Sequence, residues 1–377
     1  MPASSRNGYI EPLTPEQLAA LRGALPPFAA GAAPSPLLRE FCRFYRIDFA
    51  EHSPDVQHRA GTVASGEYRL AVHLWQRSGA THNLLLVHGY LDHTGLFGKL
   101  IAHGLARRCN VLIFDLPGHG LSTGEPAAIG DFSEYARALT DVLAAVALPD
   151  LPQWVMAQST GGAVLIEFAR RYCGSPPDDS PDTQVGAGAR DPSLDRSGGP
   201  ADDKRAWPFA ATVLLAPLVR PAGWLRIRVA HILLGRLIQS VSRKFRQNSS
   251  DPAFLEFIQR DPLQSQRLPV GWIKALRRWV KRLPRQDLGV GPALVLQGDN
   301  DHTVAWRYNL EFVASLFPGS QLHILPGAGH QLANESTEIR QACQPFVESY
   351  LAARGLPLQT AAEEADPGLR MDRASSA

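Results

Sequence analysis

Residues 154–169 read WVMAQSTGGAVLIEFA: a mostly apolar run meets a Gln-Ser-Thr-Gly-Gly stretch, and an alanine-rich apolar pattern follows. The first run is typical of a buried strand and the second of a helix. Small residues between them predict a tight turn, because the helix must pack closely behind the strand. Such a turn holds its central side chain in a strained, exposed position, which makes Ser159 a candidate nucleophile. A serine at the start of a helix is also a common N-cap, so both interpretations stay open at this point.

The same strand pattern recurs along the chain. Short apolar runs lie at 83–89, 110–118, 153–159, 211–217, 293–299 and 320–327, and a predicted β-hairpin precedes them at 55–77. Helical patterns separate most of the runs. Because strands buried on both faces read as continuous apolar runs, we expect an α/β fold. Its sheet would have eight mostly parallel strands, with helices on both faces.

Five parts are predicted along the chain. They are an N-terminal helical extension (1–54), a first part of the core (55–217), a basic helical lid (218–288), a second part of the core (289–353) and a disordered tail (354–377). This lid segment interrupts the sheet after its sixth strand. In the extension, a helix is expected from about Thr14 to Leu25, with Thr14 as its N-cap. Residues 174–205 hold almost no large apolar side chain, which predicts a disordered loop.

The overall composition is that of an ordinary globular protein, with 45% apolar and 20% charged residues. No stretch approaches the roughly 20 apolar residues of a membrane helix, and no secretory signal is expected at the start of the sequence. The cysteines are far apart and form no CxxC pair; they are Cys42, Cys109, Cys173 and Cys343. This pattern argues against a disulfide framework or a zinc site and favours reduced thiols in a cytoplasmic enzyme.

The lid segment concentrates positive charge. Residues 220–285 hold 15 Lys/Arg and three Asp/Glu, a charge of +12, whereas the whole chain carries +2. This face could rest on an anionic bilayer, with Trp224, Trp272 and Trp279 at the headgroup boundary. The slightly preferred alternative is a solvated basic face whose apolar side covers the active site. Nucleic acid is not expected as a partner, since no binding motif for it is present.

A nucleophilic serine needs a base, and the base needs an acid that fixes its tautomer. In this architecture the expected chain order is Ser, then Asp or Glu, then His. Asp299 ends the run at 293–299 and Asp301 follows it; Asp301 is preferred to Asp299 as the acid. His330 follows a glycine-rich turn after the last predicted strand and is the expected base. His302 would approach the serine from the wrong side, and His323 is expected to be structural.

The oxyanion of an acyl-transfer reaction needs two N–H donors. We expect them from the backbone of Thr160, next to the nucleophile, and of Tyr90, where Gly89 permits an unusual backbone. A competing interpretation is a metal site, with His88, Asp92 and His93 as its ligands. A buried structural His88 is preferred, because no distant ligand is evident. The chemistry requires no metal or cofactor.

Five motifs occur in a characteristic order. They are HGYLDHTGLF (88–97), FDLPGHGLSTGE (114–125), AQSTGG (157–162), QGDNDHTV (297–304) and PGAGH (326–330). Together they resemble the α/β-hydrolase superfamily and, within it, the branch of monoacylglycerol lipases and lysophospholipases, also labelled serine aminopeptidase-like hydrolases. The resemblance covers residues 60 to 350, apart from the predicted loop and much of the lid segment.

The resemblance implies the α/β-hydrolase fold and a Ser159–His330–Asp301 triad. It implies carboxylic esters with apolar acyl chains as substrates, such as monoacylglycerols or lysophospholipids, cleaved through an acyl-enzyme. The branch usually reads G-H-S-x-G. Here Gly161 matches the last glycine, but Ala157 and Gln158 stand in place of the first glycine and the histidine. This difference affects where a substrate would lie near the turn and not the identity of the nucleophile. An acyltransferase with the same triad and a catalytically silent binding protein are the alternatives.

Overall fold

The computed structural model describes residues 11–28, 34–173, 205–234, 238–243 and 247–359. The predicted disordered loop at 174–205 lies outside the described residues except for its last position. The predicted tail lies outside them from residue 360 onward. Its described beginning includes Leu356, which is buried against the core.

An eight-stranded sheet forms the centre of the molecule. Its strands are β1 (Val56–Ser65), β2 (Tyr68–Arg77), β3 (His82–Val87), β4 (Cys109–Phe114), β5 (Gln153–Gln158), β6 (Ala211–Leu215), β9 (Leu294–Gly298) and β10 (Gln321–Leu325). They lie in the order β1-β2-β4-β3-β5-β6-β9-β10. β2 pairs antiparallel with β1 and with β4, and all other neighbours in the sheet are parallel. The predicted mostly parallel sheet is therefore confirmed. A separate short ribbon pairs β7 (Ser240–Ser242) with β8 (Arg267–Pro269).

Helices cover both faces of the sheet. They are α1 (Pro15–Ala24), α2 (Pro36–Phe44), α3 (Phe49–His52), α4 (Gly98–Ala106), α5 (Phe132–Ala145), α6 (Thr160–Tyr172), α7 (Trp224–Leu234), α8 (Pro252–Arg260), α9 (Val270–Arg282), α10 (Trp306–Leu316) and α11 (Thr337–Ala352). The expected cap of the first helix is present, because the Thr14 side chain accepts a hydrogen bond from the Gln17 N–H.

Two hydrophobic cores lie on opposite faces of the sheet. In β3, Leu85 and Val87 belong to the core with α5, α6, α9 and α10, whereas Leu84 and Leu86 belong to the core with α1, α2, α4, α8 and α11. Successive strand residues point to opposite faces, so a strand covered on both sides is apolar at every position. This explains the continuous apolar runs in the sequence.

The segment predicted to be a lid (218–288), called the lid segment below, is anchored to the core through α9. Trp279 is fully buried there, and its Nε1–H donates to the Glu167 carboxylate on α6 (3.1 Å). Trp272 is also buried and stacks on Tyr90, with ring centroids 3.9 Å apart. The expectation that Trp272 and Trp279 would lie at a lipid headgroup boundary is therefore wrong, because both pack inward. Across the ranges that the structure covers, no helix combines the length and apolarity needed to cross a bilayer.

Candidate active site

Four loops meet at one edge of the sheet. β3, β5, β9 and β10 run in the same direction, so the residues that follow them lie at the same edge. Ligands of open α/β sheets bind at this carboxyl edge. The four loops carry the candidate residues of the sequence analysis.

Ser159 stands between the last residue of β5 and the first residue of α6. Its backbone has φ 53° and ψ −112°, a positive φ that strains a residue with a side chain. A Cβ atom at Gly161 would overlap the carbonyl oxygen of Val87, so the tight turn requires glycine there. Ser159 occupies the N-cap position, but its hydroxyl caps none of the described N–H groups of α6. The N-cap interpretation therefore does not explain this serine.

The Ser159 hydroxyl instead contacts a histidine. Ser159 Oγ–H donates to His330 Nε2 (2.8 Å), and His330 Nδ1–H donates to Asp301 Oδ2 (2.7 Å). The three residues are nearly inaccessible to water, with 7%, 4% and 4% of the surface of Ser159, His330 and Asp301 exposed. The structure thus brings the three sequence-predicted residues together in one hydrogen-bonded row.

The surroundings of Asp301 favour its charged form. Burial alone would raise the pKa of this carboxyl, but the charge of His330 and the hydrogen bonds from His330, Gln297 and Thr303 outweigh burial and lower it. Asp301 Oδ1 accepts the N–H groups of Thr303 (2.8 Å) and Val304 (3.1 Å). An ionised acceptor at Nδ1 keeps the proton there and leaves Nε2 free to take a proton from Ser159.

The rejected candidates point elsewhere. Asp299 is exposed, and its Oδ1 accepts the Gly327 N–H (2.7 Å), so it braces the turn after β10. His302 is exposed and contacts the side chain of Asn300. His323 lies in β10 and stacks on Phe346, with ring centroids 4.1 Å apart.

The loop after β3 lies directly beside Ser159. A Cβ atom at Gly89 would stand 3.2 Å from Ser159 Cβ, so the backbone of this loop approaches Ser159 closely. Tyr90 is held by its stacking on Trp272 and by donating its Oη–H to the carbonyl oxygen of Ala127 (2.8 Å). Thr160 is the first residue of α6, so its N–H lies outside the hydrogen-bond ladder of that helix.

His88 ties two loops together as a neutral ring. Its Nε2 accepts the Leu116 N–H (2.9 Å), and its Nδ1–H donates to the carbonyl oxygen of Gly89 (2.8 Å). Burial lowers the pKa of His88 to about 4. The other two proposed metal ligands are also engaged, since His93 Nε2–H donates to Asp261 Oδ2 (2.8 Å) and Asp92 Oδ1 accepts from Gln331 (2.9 Å). These contacts favour the structural interpretation of His88.

Several supporting residues were not singled out in the sequence. Gln297 Nε2 donates to Asp301 Oδ2 (3.0 Å). Its position four residues before Asp301, at the end of the strand, could have indicated this contact in the sequence. Glu335 is buried and accepts the N–H groups of Gly329 (2.6 Å) and Ser250 (2.6 Å), which joins the histidine loop to the lid segment. No local pattern marks Glu335, because its partners lie in distant parts of the chain.

The two departures from the G-H-S-x-G pattern are both completely buried. Ala157 lies in β5, packed in the hydrophobic core. Gln158 is the last residue of β5, and its amide contacts the loop that carries His330.

Comparison with known proteins identifies the family of the fold. A family model described as alpha/beta hydrolase fold matches residues 83–333, about two thirds of the chain. The chain is 25% identical over 265 residues to a monoacylglycerol lipase of Mycolicibacterium smegmatis. The aligned part covers 67% of this chain and 82% of that relative. It is 23% identical over 282 residues to a monoglyceride lipase homolog of monkeypox virus, with 72% and 89% of the two chains covered.

Solved structures show the same fold. A soluble variant of the monoglyceride lipase of Saccharomyces cerevisiae, solved with a substrate analog, matches with a TM-score of 0.59 and 14% identity. The match covers 79% of this chain and 95% of that one. At this identity the likeness concerns the arrangement of the backbone.

Proposed function

Because the chain belongs to the α/β-hydrolase fold family, we propose that it is a serine hydrolase that cleaves carboxylic esters with apolar acyl chains. The observation that carries the proposal is the hydrogen-bonded row from Ser159 Oγ through His330 to Asp301, with distances of 2.8 and 2.7 Å. Similarity to lipases in sequence supports a lipase- or esterase-type hydrolase.

In the first half of the reaction, Ser159 Oγ attacks the ester carbonyl carbon while His330 Nε2 takes the hydroxyl proton. Asp301 stabilises the imidazolium that forms. The N–H groups of Tyr90 and Thr160 hold the oxyanion of the tetrahedral intermediate. The C–O bond to the leaving alcohol then breaks, His330 gives that alcohol its proton, and an acyl-enzyme remains.

In the second half, His330 takes a proton from water, and the resulting hydroxide oxygen attacks the acyl carbon. The intermediate collapses with release of the carboxylic acid, and the proton returns to Ser159 Oγ. His330 Nε2 thus carries each proton that the cycle moves, and Asp301 stabilises the imidazolium each time it forms.

We propose monoacylglycerols or lysophospholipids as the substrates. Two relatives are named monoacylglycerol lipase and monoglyceride lipase homolog. Aromatic side chains from the lid segment and the core pack together beside the oxyanion loop, where Trp272 contacts both Tyr90 and Phe132. The part of the lid segment that lies next to the proposed oxyanion loop is therefore apolar.

The test combines covalent labelling with turnover. Wild-type protein should react with a fluorophosphonate probe and hydrolyse p-nitrophenyl esters and monoacylglycerols of graded chain length. Ser159→Ala should lose the label, and its turnover should fall by roughly 10⁴-fold. Product analysis with added glycerol would detect transfer to an alcohol in place of hydrolysis. Labelling that persists in the variant would show that another residue is the nucleophile.

We further propose that the lid segment contacts an anionic membrane surface through α7. Leu225, Val229 and Ile232 are exposed over 70%, 47% and 63% of their surfaces, and their spacing places them on one side of the helix. Arg226 and Arg228 are exposed beside them. An apolar face flanked by arginines is the composition that binds at the interface of an anionic bilayer.

A further inference from the structure

Gln158 occupies the position directly before the proposed nucleophile, where the related pattern has histidine. It is the last residue of β5 and is completely buried. A buried amide is costly unless its polar atoms find partners, so its contacts indicate what it does.

Both polar atoms of the Gln158 amide contact the loop that carries His330. Nε2–H donates to the carbonyl oxygen of His330 (2.7 Å), and Oε1 accepts the N–H of Ala333 (3.3 Å). One side chain therefore holds the backbone at His330 and three residues beyond it. These hydrogen bonds join positions 172 and 175 residues apart in the chain.

The position of the His330 backbone decides whether its ring can reach both of its partners. The lid segment holds the loop at another point, where the Gln331 N–H donates to the carbonyl oxygen of Asn248 (2.8 Å). Gln158 is the contact that relates the loop to the strand leading into Ser159. A change there alters the distance between base and nucleophile, while Asp301 keeps its own hydrogen bonds.

We propose that Gln158 is a positioning residue that sets the reach of His330 Nε2 to Ser159 Oγ; this rests on the proposed function. Its amide uses one donor and one acceptor. A neutral imidazole also offers one donor and one acceptor, so a histidine can make the same pair of contacts. The glutamine of this chain and the histidine of the related pattern would then serve the same purpose.

The experiment compares Gln158→Met, which keeps the length and removes both hydrogen bonds, with Gln158→His. For Gln158→Met we expect kcat to fall by about 10- to 100-fold with KM within about threefold of wild type, because misplacing a reacting group by a fraction of an ångström affects chemistry more than binding. Gln158→His should recover kcat to within about threefold of wild type.

Asn83→Leu is the matched control for the loss of a buried amide. Asn83 lies at the opposite end of the sheet, where its Nδ2 donates to the carbonyl oxygens of Pro149 (2.8 Å) and Leu151 (3.3 Å). This variant should have a lower Tm and an unchanged kcat. The positioning role is overturned if Gln158→Met keeps the wild-type kcat or loses no more of its kcat than Asn83→Leu. It is also overturned if the kcat of Gln158→His is as low as that of Gln158→Met.

Gln158→Glu gives a second measurement should the methionine variant fail to fold. The carboxylate still accepts from the Ala333 N–H but cannot donate to the carbonyl oxygen of His330. Its kcat relative to wild type should rise as pH falls, because the protonated carboxyl regains a donor. A pH-independent ratio would contradict the proposal. Failure of the proposed function itself is distinguishable, since wild type would then be inactive and unlabelled.

Discussion

The Nε2 atom of His330 lies 2.8 Å from Ser159 Oγ, although the two residues follow strands that are not neighbours. Ser159 follows β5 and His330 follows β10, with β6 and β9 between them. Strands in a sheet are about 4.8 Å apart, so the two strand ends are separated by roughly 14 Å. The loop after β10 must therefore reach back across the edge of the sheet, and the proposed catalysis depends on what holds that loop and its histidine.

Asp301→Asn tests the orientation of the imidazole. The Thr303 and Val304 N–H bonds to Oδ1 can remain, so the loop should keep its shape. An amide nitrogen in place of Oδ2 would donate to Nδ1 and move the ring proton to Nε2, which then cannot accept from Ser159. We expect kcat to fall by about 10⁴-fold.

Asp299→Asn is the control on the same loop. Asp299 is exposed and faces the turn at Gly327. The kcat of Asp299→Asn should therefore stay within about twofold of that of wild type, since exposed substitutions usually have small effects. Both variants are measured as initial rates with a p-nitrophenyl ester. If kcat falls equally in the two, Asp301 is not the acid of the triad.

Glu335→Ala tests the link between the histidine loop and the lid segment. The substitution removes the acceptor of the buried Gly329 N–H and of the N–H of the exposed Ser250. We expect the free energy of unfolding to fall by about 1–3 kcal/mol, together with a lower kcat. Urea denaturation measures the first and ester hydrolysis the second. Glu338→Ala, an exposed position in the first turn of α11, should leave both close to wild type.

Buried histidines predict a loss of stability in mild acid. Burial lowers the pKa of His73 to about 4 and that of His88 to about 4. Between pH 6.5 and 4 the unfolded chain then binds protons that the folded chain does not, so the free energy of unfolding falls as pH decreases through this window. The cost is about 2 kcal/mol per histidine at pH 5.

His73→Gln separates this effect from other titrations. His73 Nδ1 hydrogen-bonds to His58 Nε2 (3.1 Å), and a glutamine amide offers a replacement partner that does not titrate. The variant should lose less stability between pH 7 and pH 5 than wild type, as measured by urea denaturation. Substitution of the exposed His302 is the control for the loss of a histidine and should leave the free energy of unfolding at pH 7 close to that of wild type. A wild-type slope in the His73 variant would contradict the argument.

Local patterns in the sequence were sufficient for the strands, the turn at Ser159 and the cap at Thr14. The partners of Ser159 followed from the topology, because the ends of parallel strands meet and only certain loops carry an acid or a histidine. The contacts of Gln158 and Glu335 could not be predicted in this way, since each depends on a side chain reaching a backbone atom of another loop. The inward packing of Trp272 and Trp279 was missed for a related reason: a helix with apolar and basic residues does not reveal which surface its apolar side meets.

Binding to vesicles tests the membrane contact of α7. The exposed Leu225 and Ile232 would enter the interface, and nearby arginines would attract anionic lipid. Wild-type protein should sediment with anionic vesicles, and added salt should weaken this binding, because screening acts on the charges and not on the apolar contact. Leu225→Ser with Ile232→Ser should reduce the bound fraction several-fold while hydrolysis of a short soluble ester stays at the wild-type rate.

Ser substitutions at Leu322 and Ile324, which are exposed on β10, form the matched control and should leave binding unchanged. Equal retention on neutral vesicles would remove the electrostatic contribution, and unchanged binding of the α7 variant would exclude α7 as the contact.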